Sequence, residues 1–258
     1  MSGDRTAIFA RIREALRVPA PRHHEKPAPA PNASVTAEFR EWLPPVGPAH
    51  EDRVAVFARL SDMLKTEFVN CESLATAATH LAKLAAENGW KRVATHRGEL
   101  CDALARSALE CGGLPPEASA RGASSAHQSG SELPQSKAPA ALLHIDGDYD
   151  KNALESCDAG LTECECLVAQ TGSVCVTTRS SGGRALSVLP PHHVVIARRA
   201  QLLPDLTAAY ELVAQKYAAS GYPSFIGFIT GPSRTGDIER ILVLGAHGPK
   251  KLTVLLVP

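Results

Sequence analysis

Near its C-terminus the chain carries more functional groups than a simple turn requires. Residues 231–249 read GPSRTGDIERILVLGAHGP and directly follow the apolar stretch SFIGFI. A polar loop that follows a buried strand of an α/β sheet occupies the usual position of a ligand site. The residues of this segment that could take part are Gly231, Ser233, Arg234, Thr235, Asp237 and Glu239.

The same segment supports two interpretations. After its Gly-Pro break, a hydroxyl side chain can cap a short helical turn whose free N–H groups attract a phosphate or carboxylate, and Arg234 adds positive charge beside them. The two carboxylates of the segment repel such an anion unless they pair with an arginine or bind a hydroxyl. A capped turn with an internal ion pair explains the same residues, so the segment is either an anion site or a structural connection.

A second group of candidates lies in AGLTECECLVAQTGSVCVTT, in the middle of the chain. Two strand-like halves are separated by the turn Thr171, Gly172 and Ser173, which predicts a hairpin. Two hydroxyls around a glycine can approach a phosphate or carboxylate closely, although such residues are also ordinary in hairpin turns. Glu163, at the start of the hairpin, is either a general base or a surface glutamate.

Two further side chains could contact a ligand. Arg179 lies in TTRSSGGR, residues 177–184, a flexible loop typical of a lid or an anion clamp. His247 lies in GAHGP, a predicted hairpin turn, and its imidazole could exchange a proton near neutral pH. The chain has no GxGxxG, Walker, HExxH or GxSxG motif, so its residues assign no catalytic role.

The composition argues against several classes of protein. Lys and Arg number 27 and Asp and Glu also number 27 among 258 residues, so no net positive charge favours nucleic acid or an anionic membrane. No apolar run approaches the roughly 18 residues of a membrane span, and the N-terminus lacks a signal-peptide core, which predicts a cytoplasmic protein. Seven cysteines without a CxxC pair argue against a disulfide scaffold, a zinc ribbon or an iron–sulfur cluster, and we expect no metal and no cofactor.

Proline and glycine divide the chain into segments. Residues 1–18 predict an amphipathic helical arm, and the Pro- and Ala-rich residues 19–49 predict an extended linker. Residues 50–258 then form one α/β domain. Within it, residues 114–139 are rich in Ser, Gly and Pro, and they predict a flexible insertion because they cannot bury enough apolar surface.

The first half of the domain has helical spacing. Apolar residues recur with the helical period over residues 51–68 and again up to Gly89, which should end the second helix. Two helices are therefore expected before the first strand, WKRVAT, at residues 90–95. A further helix is expected after Leu203, in PDLTAAYELVAQKYAASG.

The second half of the domain is richer in strands. In the central hairpin, alternation places Cys164, Cys166 and Val168 on one face. RALSVLPPHHVVIARR predicts two short strands split by a proline pair, and SFIGFITG, RILVLGAHG and KKLTVLLVP are strands as well. Helices that alternate with strands, followed by hairpins, predict an α/β fold with a mixed, mostly parallel sheet, helices on both faces and antiparallel hairpins in the second half.

Three stretches of the chain resemble the LUD-domain family. TGPSRTGDIERILVLGAHGPKKLTVLLV resembles the family's C-terminal signature, AGLTECECLVAQTGSVCVTT with ALSVLPPHHVVIARRAQLLPDL resembles its central block, and AIFARIREAL resembles its opening. The resemblance is to the type that forms the C component of bacterial lactate utilisation, and it covers most of the chain. This chain departs from the family at Glu165, where an aspartate is common, and at Gln170, where a carboxylate is common.

The resemblance implies a NagB/RpiA/CoA-transferase-like fold. It also implies a non-redox part in the oxidation of L-lactate to pyruvate, in which the chain binds a small carboxylate or supports A- and B-type iron–sulfur partner proteins. The positions that match the family's motifs are Thr171, Gly172, Ser173, Gly231, Ser233, Arg234, Thr235, Asp237, Glu239, His247 and Gly248. The alternative is an independent enzyme of the isomerase/CoA-transferase-like fold that acts on a phosphorylated or CoA-linked metabolite.

Overall fold

A computed structural model of the chain describes residues 10–11, 14, 43–110, 140–145, 150–236, 242–245 and 247–258. The chain divides into two compact units, Met1–Leu43 and Pro44–Pro258. All helices and strands named here belong to the second unit. Nearly all of the predicted arm, most of the predicted linker and the predicted insertion at residues 114–139 lie outside the described residues.

The second unit alternates helices with strands along the chain. Its helices are α1 (His50–Leu64), α2 (Leu74–Asn88), α3 (Glu99–Ala105), α4 (Lys151–Glu155) and α5 (Leu206–Tyr217). A π-helical turn, Arg106–Glu110, continues α3, and 3-10 turns span Ala185–Ser187 and Arg199–Gln201. The strands are β1 (Glu67–Asn70), β2 (Arg92–Thr95), β3 (Ala141–His144), β4 (Ala159–Thr162), β5 (Cys166–Val168), β6 (Ser173–Thr177), β7 (His192–Arg198), β8 (Leu202–Leu203), β9 (Ile226–Ile229), β10 (Arg234–Gly236), β11 (Leu242–Leu244) and β12 (Lys251–Val257). None of the helices in the described ranges is long and apolar enough to cross a lipid bilayer.

Six strands form a parallel sheet in the order β1-β12-β7-β4-β2-β3, and every neighbouring pair runs parallel. Its central strands are almost entirely buried, as expected of a parallel sheet that is covered on both faces. Helices α2 and α3 pack on one face through Leu81 and Leu104. On the other face, α1 packs through Phe57. The predicted α/β class, with a mostly parallel sheet between helices, is confirmed.

A second sheet, in the order β8-β5-β6-β9, lies against the first. Its strands β5, β6 and β9 are antiparallel neighbours. Val174 and Val176 of β6 share a core with Val195 of the large sheet. The antiparallel pairing of β5 with β6 confirms the predicted hairpin. The opposite face of the second sheet is covered by α5, which packs on it through Val213 and Tyr217.

Local signals explain where several helices begin and end. The side chain of Asp205 accepts a hydrogen bond from the N–H of Ala208 at 2.9 Å, which caps α5. The hydroxyl of Ser73 caps α2 in the same way. Helix α2 ends at Gly89, whose φ of 63° is in the left-handed region that favours glycine, and this confirms the predicted stop.

The helix predicted over residues 51–68 is too long. Helix α1 ends at Leu64, because Lys65 adopts a left-handed φ of 62°, and Phe68 lies in β1 instead. The ring of Phe68 packs against Phe57, with centroids 5.0 Å apart. Phe68 therefore faces the same core as the helix, and its position imitates the helical spacing of apolar residues. The prediction that the first strand lies at residues 90–95 is also wrong, because β1 forms between the two helices by parallel pairing with β12, at the far end of the chain.

Two predictions about the second half are also wrong. RALSVLPPHHVVIARR contains a single strand, β7, preceded by the 3-10 turn Ala185–Ser187. Cys164 does not share a face with Cys166 and Val168, because the N–H of Glu165 and the pairing of Cys166 both involve Cys175. Glu165 and Cys166 thus both lie opposite Cys175, which makes a β-bulge. The bulge places Cys164 on the opposite face of the strand from Cys166. Cys164 therefore packs between the sheets, whereas Cys166 and Val168 face α5.

Candidate functional site

The polar segment at residues 231–236 does not lie at the carboxyl edge of the parallel sheet. It follows β9, which is an edge strand of the second sheet and runs antiparallel to β6. Its residues form strand β10, which pairs with β11, so the predicted helical turn is wrong. The N–H of Ser233 is not free for an anion, because it donates to the carbonyl of Pro249 at 2.9 Å.

The hairpin turn at residues 171–173 packs against the end of α1. The hydroxyl of Thr171 donates to that of Ser173 at 2.8 Å, and the Ser173 hydroxyl lies 2.7 Å from that of Thr230. Gly172 has a φ of 65°, and a Cβ at this position would lie 2.9 Å from Cδ1 of Leu64. Glycine is therefore required here both by the backbone conformation and by the close approach of the helix.

Arg234 also contacts the end of α1. Its guanidinium donates a hydrogen bond to the carbonyl of Leu64, where a helix has free carbonyls and a partial negative charge. Gly231, with a φ of 86°, lies against the same carbonyl, which would be 3.1 Å from a Cβ at that position. The N–H of His247 contacts the hydroxyl of Ser233 at 3.4 Å, while the side chain of His247 is exposed.

Three of the predicted ligand residues, Gly172, Gly231 and Arg234, lie against the C-terminal end of α1. Thr171 and Ser173 flank Gly172, whereas Ser233 bonds to Pro249 and contacts the N–H of His247. The segment around His247 is not a hairpin turn, because β11 pairs with β10 while β12 joins the large sheet. Asp237 and Glu239 lie outside the described residues, as does the side chain of Thr235, and their roles stay predictions. The described contacts of this group are with other parts of the protein, and its role in binding a ligand stays a prediction.

Glu163 lies apart from that group, directly after β4. Its carboxylate accepts hydrogen bonds from the N–H groups of Leu100 and Cys101, at 2.9 and 3.3 Å, at the start of α3. Its own N–H donates to Nε2 of His96 at 3.1 Å. A Cβ at Gly98 would lie 2.3 Å from the carboxylate, so glycine permits this contact. Glu163 therefore caps a helix in this structure.

A charged network that sequence reasoning did not select is centred on Glu165. Its side chain is 0% exposed, and it accepts hydrogen bonds from three residues. Lys216 Nζ lies 2.6 Å from one carboxylate oxygen, and the hydroxyl of Thr177 lies 2.8 Å from the other. The hydroxyl of Tyr217 also donates to this second oxygen. The carboxylate is thus buried but fully partnered, as a buried charge requires.

Electrostatics keep this network ionised. Burial acts to raise the pKa of the Glu165 carboxyl, but the hydrogen bonds from Lys216, Tyr217 and Thr177 together hold it below its usual value. Burial acts to lower the pKa of the Lys216 ammonium, but its hydrogen bond and ion pair with Glu165 raise that pKa above its usual value. Burial and the neighbouring carboxylate raise the pKa of Tyr217. Near neutral pH the network therefore contains a carboxylate, an ammonium and a neutral phenol.

The loop predicted as a lid, residues 177–184, is organised by Thr177. The hydroxyl of Thr177 accepts hydrogen bonds from the N–H groups of Arg179 and Ser180, each at 3.1 Å. Further along the loop, Gly182 has a φ of 66°, and a Cβ there would lie 2.5 Å from Cβ of His96. The loop therefore spans from the Glu165 network to the end of β2.

Three cations lie on this part of the surface. Arg179 donates to the hydroxyl and the carbonyl of Ser220, at 2.9 and 3.2 Å, and its guanidinium carbon lies 5.1 Å from the ring centroid of Tyr217. Lys216 Nζ lies 5.7 Å from the centroid of the same ring. Two cations thus share one aromatic ring, a recognised attractive geometry.

The third cation, Arg184, lies at the other end of the loop, with its guanidinium carbon 5.8 Å from the ring centroid of Phe225. Within the described ranges neither Arg179 nor Arg184 forms an ion pair with a carboxylate. We call Arg179 and Lys216, which contact the same Tyr217 ring, the cationic cluster. Glu165 is the one described carboxylate that pairs with it, so positive charge exceeds negative charge among the described groups of the cluster.

One signal for this network was present in the sequence. Glu165 interrupts a run of Cys, Leu and Val residues, and a carboxylate in such a run implies a buried partner. The partner could not be read from the chain, since Lys216 is 51 residues away.

Two of the concave regions of the described surface lie outside this network. A cavity of about 370 Å³ lies at the carboxyl edge of the large sheet, where Arg198 pairs with Glu99 at 2.8 Å. An apolar groove of about 430 Å³, the α5–β9 groove, is lined by Tyr210, Val213, Ala214, Tyr222, Ile226 and Phe228. No three His, Cys, Asp or Glu side chains in the described part of the chain come together as metal ligands.

The fold and the network define an α/β protein in which a second, mixed sheet carries a buried glutamate beneath a cationic loop. The sequence profile of the LUD domain matches residues 56–257. The chain belongs to the LUD domain family.

Curated relatives carry a common name. Lactate utilization protein C of Bacillus licheniformis and that of Bacillus subtilis are each 35% identical to this chain over 112 residues, which are 43% of this chain and 47% of each relative. The chain thus spans about half the length of the curated relatives it matches. Lactate utilization protein C of Anoxybacillus flavithermus is 35% identical over 105 residues, 41% of this chain and 46% of that protein.

A solved structure has the same fold. A DUF162 family protein from Deinococcus radiodurans is similar with a TM-score of 0.54 and 20% sequence identity. The similarity covers 82% of this chain and 100% of that one. At this identity it supports the architecture alone.

Proposed function

We propose that this chain is a component of a lactate-utilisation system and binds a small carboxylate at the cationic cluster. Family membership and the name shared by the curated relatives support the pathway. The excess positive charge of the cluster supports the ligand class and is the observation that carries the proposal. Glu165 acts in it as a positioning residue, which holds Lys216 in place from below.

The cluster has donors left for a ligand. Arg179 donates two hydrogen bonds to the uncharged Ser220, and a guanidinium has five N–H groups. Lys216 keeps 56% of its side chain exposed while it pairs with Glu165, and an ammonium has three N–H groups. Charge-assisted hydrogen bonds of this kind suit the carboxylate of lactate or pyruvate.

Calorimetric titration with L-lactate, pyruvate, a sugar phosphate and a CoA ester tests this site. We expect lactate or pyruvate to bind, and Arg179→Gln to weaken binding by about tenfold or more, since a hydrogen bond to a charged group contributes about 1.5–3 kcal/mol. A preference for the phosphate or the CoA ester would instead support the independent enzyme of the isomerase/CoA-transferase-like fold.

Two arginine variants serve as controls for the titration. Arg106→Gln changes an exposed arginine on the opposite side of the large sheet and should leave the affinity unchanged. Arg234→Gln tests the other predicted anion site. If Arg234→Gln abolishes binding while Arg179→Gln does not, the ligand lies at the end of α1 and the cationic cluster is not the site.

The proposed iron–sulfur partners require a separate experiment. Co-expression with A- and B-type iron–sulfur lactate-utilisation proteins should yield a co-eluting assembly whose lactate oxidation depends on this chain. Arg179→Gln should still co-elute, which separates assembly from ligand binding. Full lactate oxidation and identical elution of the partners without this chain would contradict the partnership.

A further inference from the structure

Two cysteines of the second sheet lie directly opposite each other. Cys166 of β5 pairs with Cys175 of β6 in the antiparallel register. Such partners have Cα atoms about 4.5 or 5.5 Å apart, depending on the type of pair. Both spacings are inside the range of about 4.4–6.8 Å that a disulfide spans. Both thiols are free and 0% exposed.

The two thiols differ in acidity. The interaction with Cys175, followed by burial, raises the pKa of the Cys166 thiol well above its ordinary value. The interaction with Cys166 lowers the pKa of the Cys175 thiol. A thiol whose pKa is lowered by a neighbouring thiol is the nucleophile of a dithiol pair. This direction favours Cys175 as the attacking sulfur.

No other described cysteine has such a partner. Cys164 lies on the opposite side of the second sheet, because of the bulge at Glu165. The sulfur of Cys101 lies 3.7 Å from Nε2 of His96. Burial is the main cause that raises the pKa of this thiol. Among the described thiols, the pair on β5 and β6 is therefore distinguished by geometry.

One helical layer separates the pair from solvent. The thiols pack against Val213 of α5, which also lines the α5–β9 groove. Ile226 and Phe228 of β9 line the same groove and pack against the same core. Phe228 is also the cross-strand partner of Cys175, so the groove adjoins the strand position of this thiol.

From this geometry we infer that Cys166 and Cys175 form a modification site, a dithiol that hydrogen peroxide converts reversibly into a disulfide. The Cys175 thiolate attacks one peroxide oxygen, the O–O bond breaks, and the released hydroxide takes a proton to become water. The Cys166 sulfur then attacks the sulfur of the resulting sulfenic acid. The S–O bond breaks, and the hydroxide leaves as a second water with the Cys166 proton.

Oxidation of this pair would act on the neighbouring network. Glu165 precedes Cys166 on one strand, and Thr177 lies two residues after Cys175 on the other. These two side chains are joined by the 2.8 Å hydrogen bond that helps to position the carboxylate. The inference does not depend on the proposed lactate function, because the thiol geometry is independent of any ligand.

Peroxide treatment of the folded full chain, followed by alkylation of free thiols in denaturant and peptide mapping, tests the inference. We expect a peptide that links Cys166 to Cys175, complete loss of alkylation at both positions and recovery on reduction. Cys164→Ser should form the same link as the unmodified chain. In Cys175→Ala, Cys166 should remain fully alkylated.

Three results would overturn the inference. They are full alkylation of both thiols after peroxide treatment, a link from either cysteine to Cys164, and oxidation of Cys175 to a sulfinic acid without a link. The mapping of the unmodified chain decides the question by itself if a variant does not fold. Circular dichroism during treatment confirms that the reacting protein is folded.

Discussion

Replacing Glu165 by alanine is expected to lower the free energy of unfolding by about 3 kcal/mol, because removing one member of a buried charged network leaves its partners without acceptors. Thr177 and Tyr217 would lose the carboxylate oxygen that both hydroxyls contact. The lost ion pair with Lys216 contributes less to the decrease in the free energy of unfolding, since the Lys216 side chain is 56% exposed and water replaces part of the interaction. Urea denaturation measures the change.

The chain contains a matched control for this substitution. Glu155 pairs with Lys151 at 3.3 Å on α4, and the side chains are 47% and 71% exposed. Such exposed pairs contribute little, so Glu155→Ala should change the free energy of unfolding by no more than about 0.5 kcal/mol. Glu165→Gln, which keeps one oxygen acceptor but loses the charge, should fall between the two. A Glu165→Ala protein as stable as Glu155→Ala would show that the buried network does not stabilise the fold.

Stability is expected to fall steeply in mild acid because of two buried histidines. Burial lowers the pKa of His193 to about 3 in the folded protein, and burial also lowers that of His192 to about 4. Positive Lys251 lowers the pKa of His192 further, while Glu67 acts in the opposite direction. Nδ1 of each ring has no hydrogen-bond partner among the described residues, so a proton there would be buried without an acceptor.

The sign of the effect follows from proton binding. The unfolded chain binds protons at these histidines below a pKa of about 6.5, whereas the folded protein keeps both neutral. Their contribution is therefore complete above pH 6.5 and is lost as the pH falls from there toward 4 and 3. Between pH 7 and pH 5 each histidine should lower the free energy of unfolding by about 2 kcal/mol.

One variant isolates the share of His193. His193→Gln keeps an amide near the hydroxyl of Thr162, which lies 2.9 Å from Nε2 of the imidazole. Between pH 7 and pH 5 the free energy of unfolding of this variant should fall by about 2 kcal/mol less than that of the unmodified chain. His247→Gln, at an exposed side chain, should keep the original pH dependence. An NMR titration in which His193 gains its proton near pH 6.5 would contradict the mechanism.

The two groups of predicted ligand residues have different surroundings because different physics positions them. Ser233 and Arg234 were expected to hold an anion at a helical turn, but Arg234 lies in a strand and contacts the end of α1, while the N–H of Ser233 donates to Pro249. Arg179 lies on the predicted loop, pairs with no carboxylate among the described residues, and its role in a lid stays a prediction. Charge and loop composition are local properties, whereas the packing of a strand against a helix is not.

Several helix ends, one hairpin turn and the family membership were readable from the sequence alone. The capped start of α5, the stop at Gly89, the hairpin around Gly172 and the mostly parallel sheet all depend on residues close together in the chain or on simple alternation. The resemblance to the LUD-domain family used continuous motifs and is confirmed by the match over residues 56–257.

Only the tertiary structure decided where β1 pairs and what surrounds Glu165. Strand β1 joins β12, and Glu165 meets Lys216 across 51 residues of chain. Such contacts depend on which strands become neighbours and on how a bulge turns one side chain inward. Strand pairing and side-chain orientation are set by the free energy of the whole packed core, so a local pattern of residues does not predict them.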